Sequence, residues 1–314
     1  MNKGLKWVSV LTTVGMFIVL IMGSLVTKTG SGQGCGETWP LCHGQFAPLD
    51  NLESLIEYSH RAVSGVLGIL VTLQSVWAWR KLGHKRGVKA FAFGGFFFTF
   101  LQALLGAAAV VWGQSSAVLA LHFGFSLTAF ASVLLLTILV FEGNLLKPRK
   151  LAPISSRLRN SIWWLAVYCY GVVYLGAYVR HTKTGLGCTT WPTCNGSWLP
   201  DLTGWGPVAI QFIHRVAAFI FLLLVIWLTS VIAKHYRHRR DLYYGTILVL
   251  TFTILQVLSG GYVVLSRLAL VPSLIHNSII AGLFGVICYL CFQSLPYSPA
   301  VETESENKKG AIHG

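Results

Sequence analysis

Eight apolar stretches, each near the roughly 20 residues a helix needs to cross the hydrocarbon of a bilayer, recur along this chain. They run at about Trp7–Val26, Ala62–Trp79, Ala90–Trp112, Ala117–Phe141, Ile162–Val179, Val208–Ala233, Leu242–Leu265 and Val271–Phe292. Such a pattern predicts an all-α integral membrane protein with eight transmembrane helices. The composition agrees, with 54% hydrophobic and 11% charged residues and a mean hydropathy of +0.64. The first stretch exceeds a signal-peptide core, and no small-residue cleavage site stands between Lys28 and Glu37, so it is expected to remain as a helix.

The formal charge of +14 would point a soluble chain toward nucleic acid, but here the position of the charge matters more than its sum. Eighteen of the 24 Lys and Arg fall at Lys3 and Lys6, Arg80–Lys89, Lys147–Arg159, Lys234–Arg240, and Lys308 with Lys309. The alternate connections hold Lys28, Arg180, Lys183 and Arg267, while Arg61 and Arg215 fall at predicted helix starts. Positive connections stay on the cytoplasmic side, so both termini are expected there and the cysteine-bearing loops on the outer side of the cell membrane. The basic clusters then act as topology signals among membrane lipid, with no nucleic acid bound.

Residues 26–44, VTKTGSGQGCGETWPLCHG, reappear as VRHTKTGLGCTTWPTCNG at residues 179–196. The repeat continues at an offset of 154: Glu57-x-x-His60-Arg61 matches Gln211-x-x-His214-Arg215, Leu101-Gln102 matches Leu255-Gln256, Gly106 matches Gly260, and His122 matches His276. A unit of four helices is even, so both copies cross in the same sense and a pseudo-twofold axis runs along the membrane normal. The expected architecture is two four-helix bundles, residues 1–155 and 156–314, joined by the basic, proline-containing segment 147–159 and ending in a polar tail from about residue 300.

Four of the ten histidines lie at the predicted starts of helices entering from the outer side, and His60 to His122 and His214 to His276 both span 62 residues. Ionisable groups at membrane depth are costly and turn toward a bundle interior or a partner. A neutral imidazole on each of two facing helices can supply both axial ligands of a haem iron, giving one site per half. Zinc or copper asks for more ligands than two His and one nearby carboxylate provide. Helix-end hydrogen bonding to carbonyls or water is the alternative for any one of these histidines, and it explains the matched pairs less well.

The halves differ at Glu57, whose counterpart Gln211 can hydrogen-bond but not accept a proton as a base. That asymmetry places chemistry in the N-terminal half, although Glu57 can equally pair with Arg61 at i+4 or favour the helix N-terminus. Arg61 and Arg215 are candidates for haem propionates, with interfacial pairing or snorkelling as the alternative. Gln102 and Gln256 read first as helix-packing residues. Cys35 with Cys42 and Cys188 with Cys194 lie in the matched loops, on a side that is oxidising in bacteria, so two local disulfides are expected to stiffen lids over the histidine sites. Redox cycling of Cys35 and Cys42 is the alternative. Cys169, Cys288 and Cys291 fall in helices as packing residues, and no Cys-x-x-Cys-His haem-attachment motif occurs.

These features resemble the haem A synthase family of the Bacillus type, with paired cysteines in its outer loops, from the first helix to the eighth. The match rests on Gly30–Cys42 and Lys183–Cys194, on Glu57-x-x-His60-Arg61 and on the four histidines. The resemblance implies a membrane oxidoreductase that converts the C8 methyl of haem O to a formyl group, giving haem A for terminal oxidases. It implies that His214 and His276 ligate a resident haem b while His60 and His122 flank haem O. It also makes Glu57 essential and the Cys35–Cys42 disulfide functionally relevant. A haem O synthase (farnesyltransferase) is the implied upstream partner, a quinol is a candidate electron donor, and a homo-oligomer is compatible with the pattern. Two histidines on a substrate iron leave no open position, so one of His60 and His122 must be displaceable or the oxidant must arise elsewhere. Competing readings are a two-haem membrane cytochrome b passing electrons from quinol, against which Glu57 argues, and a transporter, whose sites belong nearer the midplane.

Overall fold

The computed structural model describes residues 3–46, 51–113, 115–142 and 152–296. Among the described residues it has eight α-helices: α1 (Lys3–Thr29), α2 (Leu52–Leu82), α3 (Val88–Val111), α4 (Ser116–Glu142), α5 (Ser156–His181), α6 (Pro207–His235), α7 (Arg240–Leu265) and α8 (Leu270–Ser294). All eight are long and apolar enough to cross a membrane, as the hydropathy pattern predicts. The polar tail from about residue 300 and the first part of the linker, residues 147–151, lie outside the described residues.

Each helix starts before its apolar stretch, and α2 does so most, at Leu52 rather than near Ala62. Its first turns are polar and carry no hydropathy signal, yet they are well capped. The Asn51 side chain accepts the Ser54 N–H at 2.8 Å, and Glu53 sits in the first turn where the helix dipole favours an anion. Ser155 caps α5 in the same way through Leu158 N–H at 3.2 Å, and Pro207 occupies the first turn of α6.

The extension places His60 well inside its helix, as the other three histidines already are by the starts of their apolar stretches. His60 is the ninth residue of α2, His214 the eighth of α6, and His122 and His276 the seventh of α4 and α8. They stand about two turns inside their helices, on the order of 10 Å from the ends, not at the helix starts.

Helices α1 to α4 pack as a closed ring, each against the next and α1 against α4; α5 to α8 repeat the arrangement. The rings join where α4 meets α5, α8 meets α1, and α4 meets α8. Since α1 corresponds to α5 and α4 to α8, the first two contacts are twofold equivalents and the third lies on the axis. Small residues admit this approach. A Cβ at Gly285 of α8 would come within 2.8 Å of Leu134 of α4, and one at Gly124 of α4 within 2.5 Å of the Tyr170 hydroxyl on α5. Polar ties close the seam at both ends: Arg180 Nη2 donates to the Ser24 carbonyl at 2.8 Å, and Arg86 Nη2 to the carbonyls of Phe292 and Leu295, both at 2.9 Å.

Candidate functional site

On one face of the molecule two loops follow α1 and α5, and each is tied by the expected disulfide. Cα–Cα separations are 4.5 Å for Cys35–Cys42 and 4.6 Å for Cys188–Cys194. Each loop is held down from the helix below. Glu57 Oε2 accepts the Cys35 N–H at 2.8 Å, and Gln211 Oε1 accepts the Cys188 N–H. Arg61 Nη1 donates to the carbonyls of Thr38 and Leu41 at 2.7 and 2.9 Å; Arg215 Nη1 donates to those of Thr190 and Thr193 at 2.8 and 3.0 Å. The guanidinium groups thus clamp equivalent loop carbonyls, a role that the repeat pattern did not separate from propionate binding.

The two clamps differ in charge. Arg61 Nη2 pairs with Glu57 Oε1 at 2.5 Å, the i+4 arrangement open from the sequence, whereas Arg215 Nη2 turns to the Cys188 carbonyl at 3.0 Å. Gln211 uses its spare donor on the Gly185 carbonyl at 2.7 Å. Glu57 and Gln211 are 3% and 4% exposed, so both are removed from solvent. Among the described residues no hydrogen bond joins Glu57 to either histidine of its half.

Glycines let the loops lie this low. A Cβ at Gly34 would fall 2.5 Å from the Glu53 carbonyl carbon, and one at Gly187 would collide with the Pro207 carbonyl. The obstruction in both is backbone, which cannot rotate aside. Gly187→Ala is therefore expected to lift the second loop and cost about 1–3 kcal/mol, seen as a lower thermal midpoint in detergent. Gly171→Ala on α5, where nothing lies within 4 Å, is the reference that should leave the midpoint within error.

Beneath the loops His60 and His122 lie within electrostatic reach of one another, and so do His214 and His276. Every imidazole rests over a glycine of the preceding helix. A Cβ would approach His60 Cε1 to 3.3 Å from Gly23, His122 Cε1 to 3.5 Å from Gly106, His214 Cε1 to 2.8 Å from Gly176, and His276 Cε1 to 3.1 Å from Gly260. Gly106 and Gly260 are visible in the repeat, but nothing in the sequence shows that all four glycines serve the same purpose.

Such a setting fits a haem. The Nδ1 atoms of His60, His122 and His214 are buried without a hydrogen-bond partner, which is costly for a purely structural histidine. Among the described residues no group of three or more His, Cys, Asp or Glu can hold a bare metal ion. Two imidazoles from facing helices suffice only where the remaining ligands come from the cofactor, as the four nitrogens of a porphyrin do.

His276 alone of the four is anchored at both ring nitrogens: Ser259 Oγ lies 2.9 Å from Nδ1 and Gln256 Nε2 lies 3.2 Å from Nε2. Sequence reading assigned Gln256 to helix packing and passed over Ser259. The signal was present, since Ser259 aligns with Leu105 at the repeat offset.

Fold and site together define a duplicated, multi-pass membrane protein with one facing histidine pair in each half. The chain belongs to the cytochrome oxidase assembly protein family, which it matches over residues 50–288. It is similar to the haem A synthase of Bacillus licheniformis, with 45% identity over 305 residues covering 96% of this chain and 100% of that one. The haem A synthase of Geobacillus kaustophilus is 45% identical over 94% of this chain and 93% of its own. That of Alkalihalophilus pseudofirmus is 44% identical over 92% and 97%.

Proposed function

We propose that this chain is a haem A synthase, a membrane oxidoreductase that converts the C8 methyl group of haem O to a formyl group. The observation that carries this reading is a chain 45% identical to haem A synthases over nearly its full length, with both histidine pairs beneath their cysteine loops. Methyl to aldehyde removes four electrons, by two hydroxylations and loss of water from a geminal diol. With dioxygen as the oxygen source, each hydroxylation consumes two further electrons, for which a membrane quinol is the candidate donor.

In this reading residues 156–314 carry the resident cofactor and residues 1–155 the substrate site. His214 and His276 hold haem b, which supplies reversible one-electron chemistry when bound. His60 and His122 flank haem O, and one of them yields its position in turnover. Glu57 is the catalytic carboxylate of that half, supporting the reaction by its charge while its second oxygen holds the Cys35 loop as a lid. Arg61 Nε, buried and without a partner, is the donor left for a substrate propionate; Arg215 serves the other half. The apolar helices receive the farnesyl tail, which shuns water.

The positive-inside distribution supports cytoplasmic termini and cysteine loops on the outer side of the cell membrane. A haem O synthase is the partner that supplies substrate, and self-association is open to the lipid-facing helices. Co-expression with a haem O-forming farnesyltransferase, followed by haem extraction and chromatography, tests the assignment. Haem A is expected only with the intact chain; its absence there removes the enzyme reading.

A further inference from the structure

We propose that Ser259 is the positioning residue that makes the C-terminal histidine pair a permanent haem site, and that Leu105 in its place leaves the N-terminal pair exchangeable. The inference rests on the assignment of resident cofactor and substrate to the two halves.

Ligation through Nε2 would set the hydrogen-bond directions around His276. Ser259 Oγ lies 2.9 Å from His276 Nδ1 and 3.1 Å from the Gln256 carbonyl, so it can accept an Nδ1–H while donating its own proton to that carbonyl. An iron-bound His276 would carry its proton on Nδ1 and offer Nε2, 3.2 Å from the Gln256 amide nitrogen, to the metal. An imidazole bonded through Nδ1–H is fixed in tautomer and ring orientation and is a more basic ligand through Nε2.

The other half has the same glutamine, the same glycine and no serine. Gly106 and Gly260 lie against Cε1 of His122 and His276 in the same way, so Leu105 occupies the register of Ser259. A leucine offers no acceptor, and His122 Nδ1 is left buried and unpartnered. No side chain fixes its tautomer or ring angle at Nδ1. That suits a ligand that must release one haem and accept the next, and it selects His122 over His276 as the weaker hold.

The test compares Ser259→Ala, Ser259→Thr and Leu105→Ser with the unaltered protein, with His276→Ala and His122→Ala as references. Haem b loss to excess apomyoglobin in detergent gives the off-rate, and a redox titration gives the midpoint potential. Ser259→Ala is expected to speed haem b loss roughly tenfold to 100-fold and to raise the potential, because a less basic imidazole favours ferric iron less. Ser259→Thr, which keeps a hydroxyl, should restore both. Leu105→Ser should retain several-fold more farnesylated haem per haem b after co-expression with the farnesyltransferase. Ser259→Ala indistinguishable from the unaltered protein, while His276→Ala loses haem b, overturns the inference and leaves the assignment of the halves standing. Haem b lost in His122→Ala and kept in His276→Ala overturns both.

Discussion

Protein carrying His214→Ala is expected to fold and reach the membrane yet purify without haem b, its Soret absorbance lost and haem A formation abolished. Truncation here strands no side-chain partner at Nδ1, and leaves a void above Gly176. An axial ligand contributes more than the outer partners whose loss already costs ten- to 100-fold, so haem affinity should fall by about 100-fold or more. His60→Ala should instead keep haem b and still make no haem A. Unchanged haem b content in His214→Ala would sink the assignment of the resident site to the C-terminal half. His276→Ala gives the same expected spectrum but is a less clean probe, since it also leaves Ser259 and Gln256 without their partner.

Glu57→Gln separates two roles that one side chain combines. The C-terminal half already shows that an amide at this register accepts the loop N–H and reaches a loop carbonyl besides, as Gln211 does with Cys188 and Gly185. The substituted protein should therefore keep its lid and its haem, and lose only the negative charge beside Arg61. Haem A formation is expected to fall by about 100-fold, the scale of a lost electrostatic contribution in a water-excluded site. Haem extraction from co-expressing cells, normalised to haem b, measures it. Activity within about twofold of the unaltered protein would mean that Glu57 acts only as a loop clamp.

Much of this architecture is readable from residues alone, because hydropathy, charge alternation and the duplicated loop are independent signals that agree. The eight spans, the pairing of helices into two rings and both disulfides follow from them. The place of His60 within its helix does not. The first two turns of α2 mix Leu52, Leu55 and Ile56 with Glu53, Ser54 and Glu57, too polar to register as a span, and the Asn51 cap marks the start at Leu52. Roles at the site were legible as residue types but not as partners: Arg61 and Arg215 read as charges for an anion, and they hold loop carbonyls. The glycine beneath each imidazole escaped because proximity between neighbouring helices leaves no periodic trace. Ser259 escaped for a different reason. It is a departure from the repeat, and a repeat displays its matches rather than its differences.

The seam on the α4–α8 axis has a consequence for how such a protein can change. In a symmetric homodimer of four-helix units every mutation is made twice, once on each side of the axis, so neither site can specialise without the other. Here the two units are one polypeptide, and α4 and α8 meet as relatives rather than as copies. That alone permits a carboxylate opposite an amide, Glu57 with Gln211, and a leucine opposite a serine, Leu105 with Ser259. Fusion keeps the geometry of a dimer while giving each half its own inheritance.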